Sequence, residues 1–467
     1  MKAKAKVALV SPPLLKNNDH HPFLPPLGLT YIAAVLEQDG HEIKIIDCPA
    51  CNIDHKKLTA ELTSFKPNLI GISSITPTIK SALQSARMAK EACPDSKIIL
   101  GGPHATFMDE QILSQEPTVD LIVRGEGEQT MAELTQQIPN SGNLGNIDGI
   151  TLRNSDGQIV RTNVRAPIQN LDDLPRPAYH YLQLTEYKIF GKTHMPIMAS
   201  RGCQYQCSFC VSSQMFGATY RARSPKNVVD ELEWLKNVYG ASGITFNDDT
   251  LTVEKKRVHE ICDQIISRKL NLPWGCQSRV DQISKEILAK MRKAHCNEVS
   301  FGIESGCQKI LDAVKKKTSV EQNEQAIRWA KEEGLFVAVT ALIGYPGETI
   351  ESAKQTIDLL RRVEPDDAWL CVATPYPGTE LYALLESTGW KMSADFDLYD
   401  TLHPVFENPL LPAEEIYKIR RDFYNSLYSP RYVLRQSVRG YLKGNYYSQI
   451  MARTAVSHMF WRIRAIF

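Results

Sequence analysis

The feature that most constrains this chain is a group of three closely spaced cysteines. Cys203, Cys207 and Cys210 lie in the run RGCQYQCSFC and have the spacing C-x3-C-x2-C. One short loop can therefore present three thiolates to a cubane iron–sulfur cluster, which ordinarily takes four cysteines. No fourth cysteine follows in the loop, so the spacing predicts a cluster with one iron open to another ligand. A structural zinc site would need a second pair of ligands nearby, and the next cysteine is Cys262.

Length and composition favour an intracellular protein of several domains. A chain of 467 residues should form about two or three domains. Its formal net charge of +1 argues against nucleic-acid binding by the chain as a whole. The eleven cysteines are scattered and odd in number, which is typical of a reducing compartment and predicts a cytoplasmic location. We find no apolar stretch long enough for a transmembrane helix, and the apolar run at 7–10 is too short for a signal peptide.

Strands and helices alternate in residues 1–140, which predicts a first α/β domain. The expected strands lie at 6–10, 41–47, 69–73, 97–100 and 121–123, and the expected helices at 27–38, 78–91 and 128–137. Such units form a doubly wound, flavodoxin-like parallel sheet, which binds ligands at the carboxyl ends of its strands. Small or flexible residues dominate those ends and are the candidate ligand contacts: Ser73, Ser74, Gly101, Gly102, His104, Gly125 and Glu126.

A second α/β region follows a connector. Residues 141–192 predict a β-hairpin and a Pro-rich linker. Within residues 193–382, strands are expected at 196–200, 243–246, 274–278, 298–303, 336–342 and 368–373, with helices at 225–239, 255–268, 285–294, 320–334 and 349–363. These units predict a partial (β/α)6 barrel, whose functional residues should lie at the carboxyl ends of the strands.

The strand ends of the predicted barrel carry polar or glycine-rich groups. The candidates are Asp248, Asp249, Arg279, Glu304, Gly344, Gly347 and Tyr376. One such group would be an ordinary solvated loop, and Tyr376 by itself would be a packing residue. Every predicted strand end carries a polar or glycine-rich group, and one of them carries the cysteines. The groups therefore indicate a single shared site.

The cysteine motif resembles that of the radical S-adenosylmethionine (SAM) superfamily, in which an aromatic residue precedes the third cysteine, as Phe209 does here. Residues 1–140 resemble the cobalamin-binding domain that precedes many radical SAM domains, through the segments PPLGL, GISS, GGPH and RGEGE. The resemblance implies three cofactors: a [4Fe–4S] cluster, SAM and methylcobalamin. It assigns Phe209, Gly344 and Gly347 to the adenine side of SAM, and Arg279 and Glu304 to its amino-acid and ribose parts. Asp248, Asp249 and Tyr376 would face cobalamin or substrate.

The whole arrangement resembles cobalamin-dependent (class B) radical SAM methyltransferases and the anaerobic Mg-protoporphyrin ester cyclase. It implies that a 5′-deoxyadenosyl radical takes hydrogen from an unactivated carbon, which then receives a methyl group from methylcobalamin. The implied substrate is a protein carbon, such as a glutamine of methyl-coenzyme M reductase, or a lipid or other hydrophobic small molecule. The implied partner is a flavodoxin- or ferredoxin-type reductant. Oxidative cyclisation is the alternative chemistry, and a cobalamin- or redox-sensing regulator is a weaker one, since it leaves the decorated strand ends unexplained.

Two local motifs are given no part in this chemistry. Asp39 and His41 match part of the Asp-x-His-x-x-Gly motif that supplies the lower cobalt ligand in other cobalamin proteins, but Lys44 replaces its glycine. We therefore expect His41 at the surface and not on cobalt. Cys48 and Cys51 form a lone C-x2-C pair. It could be a redox pair, but because a thioredoxin-like site would need its own fold context, we expect incidental loop cysteines.

Residues 383–467 are expected to form a basic, helical C-terminal extension. From residue 423 to residue 467 there are seven Lys or Arg and no Asp or Glu, and Arg431, Arg435, Arg439 and Lys443 recur every four residues. Such a stripe can cap the barrel, bind an anionic membrane surface or dock a macromolecular partner. All three alternatives stay open, and the second would place the protein at the inner face of the membrane.

Overall fold

The computed structural model of the protein describes residues 4–14, 24–138, 143–189, 191–429, 431, 432, 434 and 438. These residues contain two seven-stranded sheets and a two-stranded ladder. Both predicted α/β units are present, so the expected fold class is confirmed. We call the unit around the first sheet the first domain and the unit around the second sheet the barrel.

The first sheet has the strand order β2-β1-β3-β4-β5-β6-β7. Its strands are β1 Lys6–Ser11, β2 Glu42–Asp47, β3 Leu69–Ser73, β4 Lys97–Gly101, β5 Leu121–Val123, β6 Ile150–Arg153 and β7 Ile159–Arg161. The first five are parallel. Runs of Val, Ile and Leu form them because both faces of the sheet are covered. Each of the five begins and ends within one residue of its predicted position.

Helices cover both faces of this sheet, as a doubly wound fold requires. They are α1 Leu27–Gln38, α2 His55–Phe65, α3 Ile79–Ala92, α4 Pro103–Phe107, α5 Asp109–Gln115 and α6 Glu128–Gln137. α1 and α6 pack on one face, and α2 to α5 on the other. Three of these helices were not predicted. α2 buries only Leu58 and Leu62, and α4 and α5 are short, so their apolar periodicity is weak.

The hairpin predicted after residue 140 forms, and it extends the first sheet. β6 pairs antiparallel with β5, and β7 pairs antiparallel with β6. The Asn154 side chain accepts hydrogen bonds from the backbone of Asp156 and Gln158 and thereby shapes the turn. The hairpin therefore belongs to the first domain rather than to a connector, because it covers the otherwise open edge of β5.

The second sheet is an open, mostly parallel sheet with the order β16-β15-β14-β13-β12-β9-β8. Its strands are β8 Lys188–Ile189, β9 Lys192–Ile197, β12 Gly243–Phe246, β13 Trp274–Ser278, β14 Cys296–Glu304, β15 Phe336–Ile343 and β16 Asp367–Val372. The ladder consists of β10 Ser200–Arg201 and β11 Arg221–Ala222. The partial barrel is confirmed, but the strand expected at 196–200 ends at residue 197 because Ser200 and Arg201 pair with β11 instead.

Four of the long barrel helices begin where a side chain caps them. The barrel helices are α7 Ser212–Met215, α8 Pro225–Tyr239, α9 Lys255–Ser267, α10 Lys285–Lys293, α11 Gln308–Ala313, α12 Val320–Glu332, α13 Ile350–Val363, α14 Glu380–Ser387 and α15 Ala413–Leu427. The four are α8, α10, α12 and α13, in which Ser224, Ser284, Ser319 and Thr349 each accept a hydrogen bond from a backbone N–H in the first turn. These caps explain why the four helices start within one residue of their predicted positions.

The described part of the C-terminal extension covers the open edge of the barrel. Among the described residues, β16 is the last strand of its sheet and pairs with β15 alone. The backbone N–H of Leu370 donates to the Tyr424 hydroxyl at 3.0 Å, and its carbonyl accepts from Arg420 at 3.0 Å. This supports the cap alternative for α15. Most of the predicted basic stripe, including Arg435, Arg439 and Lys443, lies outside the described residues. Within the described ranges, no helix has the length and apolar character needed to cross a membrane.

Candidate active site

The three motif cysteines lie on a loop, residues 202–220, that the ladder closes at its base. β10 and β11 pair antiparallel, with Arg201 opposite Arg221. We call these two arginines the stem of the cluster loop. Gly202 has a φ of +81°, and a Cβ there would lie 2.2 Å from the carbonyl oxygen of Thr219. Only glycine can therefore start this loop.

The three thiols are partly exposed and form no disulfide. Burial raises the pKa of each thiol, to about 11 for Cys210. At Cys207, burial is opposed by the cations of Lys316 and Arg279, and Arg279 Nη1 lies 3.8 Å from the sulfur. Neighbouring positive charge thus favours the thiolate, which is the form that ligates metal.

A four-iron cluster is compatible with the three motif thiols. Among the described residues, no three His, Cys, Asp or Glu side chains converge as a mononuclear site requires. A cubane binds each cysteine through a different iron, so its ligands lie apart around the cluster. The three motif thiols are free and lie on one short loop, so each is available to bind a different iron.

Two buried ion pairs lie beside the cluster loop, at the ends of β13 and β14. Arg279 pairs with Asp281 at 2.9 Å, and its guanidinium lies 3.6 Å from the centre of the Tyr205 ring. Glu304 pairs with Lys316 at 2.7 Å, and both side chains are only 7% exposed. Arg279 Nη2 also donates to the carbonyl of Lys316 at 2.6 Å, which joins the two pairs. The structure therefore brings the predicted residues Arg279 and Glu304 into one polar group.

Lys316 was missed by the sequence analysis. It lies in the run Lys315-Lys316-Lys317, whose composition is typical of solvated surface. In the structure only the central lysine is buried, while its two neighbours are exposed. Both neighbours have a φ of +56°. This irregular backbone turns Lys316 inward, and no periodic pattern in the sequence signals it.

The end of β15 is organised around a buried carboxylate. The backbone N–H of Gly344 donates to Glu348, which is fully buried. Burial raises the pKa of Glu348 to about 7 against the opposing effect of the backbone hydrogen bonds. A Cβ on Gly344 would lie 2.9 Å from Ile416, whereas a Cβ on Gly347 would meet nothing within 4 Å. Gly344 is thus needed for packing, and Gly347 borders open space.

Asp248 was expected to face cobalamin or substrate, and the structure shows its carboxylate engaged in hydrogen bonds within the protein. Its side chain is buried and accepts hydrogen bonds from the Ala199 backbone at 3.1 Å and from the Ser200 hydroxyl. Burial raises the pKa of Asp248 to about 6. The carboxylate therefore fixes the chain between β9 and the ladder, immediately before the cluster loop.

The remaining barrel candidates differ in their surroundings. Asp249 is partly exposed and accepts a hydrogen bond from Ser212, which closely follows the third motif cysteine. The Tyr376 hydroxyl donates to the carbonyl of Tyr399 at 3.0 Å, so Tyr376 has a packing role that the sequence left as an alternative. Phe209 packs against the same hydrophobic cluster as Tyr376. An apolar wall therefore lies beside the third cysteine.

The ligand edge of the first sheet is shaped by backbone contacts. Ser73 ends β3, and the Ser74 N–H and hydroxyl both donate to the Gly101 carbonyl, at 2.8 and 3.0 Å. Gly102 has a φ of +91°, and a Cβ there would lie 2.6 Å from the Ser74 carbonyl oxygen. A Cβ on Gly125 would meet nothing within 4 Å. Tight backbone packing beside open space fits a large flat ligand such as a corrin.

His104 lies at the same edge as an uncharged ring. It is 2% exposed, and its Nδ1 lies 3.2 Å from the Thr76 hydroxyl. Its ring contacts Phe396 edge-on, with ring centres 4.8 Å apart. Burial lowers the pKa of His104 to about 4, so the imidazole is neutral at physiological pH.

His41 is buried, so its expected surface position was wrong. It is 5% exposed, and the Ala5 backbone N–H donates to its Nδ1 at 3.2 Å. It precedes β2 in a parallel sheet and therefore lies at the edge opposite the predicted ligand residues. Cys48 is buried in a loop, Cys51 is partly exposed, and neither forms a disulfide.

The ligand edges of the two domains meet. Glu126, which follows β5, pairs with Arg201, which ends the ladder strand β10, at 3.0 Å. Phe107, which follows β4, lies so close to Gly378 beyond β16 that a Cβ there would be 2.4 Å from its ring. Glu126, expected as a ligand contact, is thus held by the barrel through ion pairs with Arg201 and Arg221. A ligand of the first sheet and a cluster on the loop would share this interface.

Comparison with known proteins agrees with this geometry. The chain matches the family model for the B12 binding domain over residues 20–135 and the model for the radical SAM superfamily over residues 197–360. It is 33% identical over 434 residues to an uncharacterized methyltransferase of Pyrococcus horikoshii, covering 90% of this chain and 94% of that protein. It is also 33% identical over 402 residues to the anaerobic magnesium-protoporphyrin IX monomethyl ester cyclase of Rubrivivax gelatinosus, covering 84% and 71%.

A solved structure shares the whole fold. The radical S-adenosylmethionine methyltransferase TsrM of Kitasatospora setae, solved with cobalamin and a [4Fe–4S] cluster, superposes with a TM-score of 0.75. The match covers 92% of this chain and 90% of that one, at 18% identity. The two-domain architecture described above is therefore an established one.

Proposed function

This chain belongs to the cobalamin-dependent radical SAM family, and from that premise we propose that it methylates an unactivated carbon of its substrate. It is an enzyme whose cofactors are a [4Fe–4S] cluster, SAM and cobalamin. The observation that carries the proposed reaction is the alignment with the Pyrococcus methyltransferase, which includes both domains and 94% of that protein. Because the similarity extends over both domains, a reaction common to the two proteins explains it more simply than the sharing of a single domain would.

The cysteines of the cluster loop are proposed to bind the cluster, and a neighbouring cation is proposed to balance part of its negative charge. Cys203, Cys207 and Cys210 would be its ligands and, through it, the catalytic residues. When bound, the cluster supplies an electron for cleavage of SAM, and cobalamin carries the methyl group. The Arg279 cation beside Cys207 offsets negative charge on that thiolate.

The buried polar group at the ends of β13 and β14 is proposed to orient SAM. Lys316 contacts Oε1 of Glu304, which leaves Oε2 as an acceptor for ribose hydroxyls. Arg279 already binds Asp281, so its contact with the amino-acid part of SAM would use its remaining donor capacity. Phe209 and Gly347 would border the adenine, with Gly344 fixing the turn between strand and helix.

The first domain is proposed to hold cobalamin against the barrel. Its small residues would lie under the corrin: Ser73, Ser74, Gly101, Gly102 and Gly125. His104, neutral and packed on Phe396, would add an apolar wall. Because the ligand edges of both domains face each other, they would also exclude water from the reacting carbon. Asp249 stays a candidate on the substrate side.

The proposed substrate is a protein carbon or a hydrophobic small molecule. Apolar and aromatic side chains beside the third cysteine, including Phe209, Tyr345 and Tyr376, favour an apolar reacting group over a charged one. A glutamine of methyl-coenzyme M reductase and a membrane lipid are the two specific candidates. We propose a flavodoxin- or ferredoxin-type protein as the electron donor.

The test is the mass change of the product. Anaerobically reconstituted protein with cobalamin, a reductant and SAM labelled in its methyl group is incubated with a lipid extract, or with peptides spanning the glutamine. We expect a product heavier by one labelled CH2 unit, together with 5′-deoxyadenosine. Consumption of SAM with a product that has lost hydrogens and carries no label would contradict methylation.

Oxidative cyclisation is the second candidate. It is favoured by the Rubrivivax cyclase, which aligns over 71% of its length at the same identity as the Pyrococcus protein. Its signature is a product that has lost hydrogens and carries no labelled methyl group. The same incubation, with a magnesium porphyrin ester as substrate, measures it.

A further inference from the structure

The stem of the cluster loop places two like charges face to face. Arg201 and Arg221 are directly opposite each other in the antiparallel ladder between β10 and β11. Like charges at opposed positions destabilise a strand pair. This ladder has only two residue pairs, so few backbone hydrogen bonds offset the repulsion. The base of the loop therefore needs a counter-charge to stay closed.

The counter-charge comes from the other domain. One oxygen of Glu126, in the loop after β5, lies 3.0 Å from Nη1 of both arginines. Glu128 binds the other end of the Arg201 guanidinium at 2.5 Å. The backbone N–H of Ile168 donates to the second Glu126 oxygen at 2.7 Å, and Arg221 donates to the Ile168 carbonyl at 2.6 Å. Glu126 thus joins the two sides of the stem to the first domain.

This group of charges is deeply buried. The side chains of the two arginines and the two glutamates are between 4% and 7% exposed. The Arg201 guanidinium also lies over the ring of Tyr31, 5.4 Å from its centre. Within the described residues, Nε of each arginine has no hydrogen-bond partner. The desolvation of four charges is thus only partly offset by their contacts.

A buried ion pair of this kind is a poor source of stability, because desolvation consumes most of the Coulomb attraction. Its removal is costly only because the remaining charges stay buried and unpaired. What such a group does provide is one defined arrangement of the parts it joins. Here the parts are the first domain and a loop whose first cysteine is two residues from Arg201.

We propose that Glu126 closes the stem of the cluster loop from the neighbouring domain, so that docking of the first domain fixes the loop that carries the three cysteines. Glu126 is a positioning residue, since it acts through the two arginines and touches no reacting atom. The proposal rests on the function given above only in taking the loop to be the holder of the cluster. It makes the cofactor of one domain dependent on contact with the other.

The first experiment is hydrogen–deuterium exchange of reconstituted protein, read in peptides from residues 202–220. E126Q keeps the shape of the side chain but removes its charge. Of the two glutamates, only Glu128 then opposes the charge of the facing arginines, and it does so at Arg201 alone. We expect exchange in these peptides to become faster by about tenfold or more, as for local opening of a loop. E133Q is the matched control, because Glu133 pairs with Arg165 in the same domain but is 45% exposed and far from the stem in the chain. It should leave the peptides unchanged.

The second experiment removes the repulsion instead of restoring the attraction. In the double variant E126Q/R221Q only one cation remains at the stem. We expect exchange to return to within about threefold of the wild-type rate, because no like charge then opposes Arg201. E126D, which keeps the charge at a shorter reach, should be intermediate.

The proposal would be overturned if the peptides from residues 202–220 exchanged at the wild-type rate in E126Q. It would also be overturned if they exchanged as fast in the double variant as in E126Q. If E126Q does not fold, the double variant decides: slow exchange in a folded protein supports the proposal, and failure to fold overturns it. The readout requires no methyl transfer. Absence of methylated product from the wild-type protein would therefore remove the proposed function and leave the result on the stem intact.

Discussion

The ligand edge of the first sheet and the mouth of the barrel meet at one interface, yet they are built differently. The edge of the first sheet relies on backbone: Gly102 touches Ser74, and Gly125 leaves space. The mouth of the barrel relies on buried charge, in the pairs Glu304–Lys316 and Arg279–Asp281. A large, nearly neutral ring is best held by shape, whereas an iron–sulfur cluster and a zwitterionic cofactor need charge. With the cofactors placed as proposed above, the two edges would match the different chemistry of their ligands.

The largest expected effect concerns the cysteines, on which the barrel side of the comparison depends. Replacing Cys203, Cys207 and Cys210 together by Ala should remove the cluster, since no other group of ligands is present among the described residues. Iron analysis should fall from about four per chain, the cubane stoichiometry, to near zero, and 5′-deoxyadenosine should not form. The control replaces Cys48 and Cys51 by Ala, which should leave iron unchanged. A triple variant that still forms 5′-deoxyadenosine would refute the cluster assignment.

The next effect tests whether charge pairing organises the mouth of the barrel. K316M leaves the Glu304 carboxylate buried without its partner, which should lower the free energy of unfolding by ~3–5 kcal/mol. K315M is the matched control, because the pair of Lys315 with Glu380 is about half exposed on both sides. It should change stability by less than about 0.5 kcal/mol. Urea denaturation of the reconstituted proteins measures the stability of both variants. Equal urea midpoints for K316M and K315M would show that the buried pair contributes no more to stability than the exposed pair.

A third effect is the pH dependence contributed by Glu348. Burial raises the pKa of this carboxyl in the folded protein to about 7, above its value in the unfolded chain. The folded state therefore binds the proton more tightly, and stability falls as pH rises through the interval between the two pKa values. Between pH 5.5 and pH 8 the loss should be about 2 kcal/mol.

E348Q provides the control, because an amide oxygen can still accept from the Gly344 N–H but does not titrate. The variant should lose this share of the pH dependence and be more stable than the wild type at pH 8. Identical slopes of stability against pH in the two proteins would show that burial does not raise the free energy of ionising Glu348.

The last test concerns the backbone side of the comparison, where the effect should be of similar size to that of Glu348. G102A forces a Cβ to 2.6 Å from the Ser74 carbonyl and should weaken cobalamin binding roughly ten- to hundredfold, the equivalent of 1–3 kcal/mol of strain. G40A shares the positive φ but meets nothing within 4 Å. An absorbance titration with cobalamin compares them. If G40A weakens binding as much as G102A, backbone strain alone, rather than the shape of the ligand edge, is responsible.

The parts of the molecule that depend on local pattern could be predicted from sequence. The cysteine spacing, the alternation of strands and helices and the capped starts of the long helices are all properties of short segments. They place the cysteine loop and the carboxyl ends of both sheets where the structure has them. Arg279 and Glu304 were recognised because they end predicted strands.

The parts that depend on contacts between distant segments could not be predicted. The sequence gives no sign that Glu126 faces Arg201 or that Lys316 turns inward between two exposed lysines. Asp248 was assigned to a ligand because a carboxylate after a strand is usually accessible at a barrel mouth. Its burial depends on Ala199 and Ser200, which leave the sheet one strand earlier in the chain. His41 was misplaced for the same reason, since its partner Ala5 lies in another strand region.

The side chains that α15 lays on β16 have a consequence for how separate copies of the protein behave. The outermost strand of an open sheet carries free N–H and C=O groups, which are a template for pairing with a strand of another molecule. Tyr424 and Arg420 take up the N–H and the carbonyl of Leu370 as a neighbouring strand would. Without them, the first symptom would be irreversible self-association of otherwise folded molecules, well before any loss of the barrel itself.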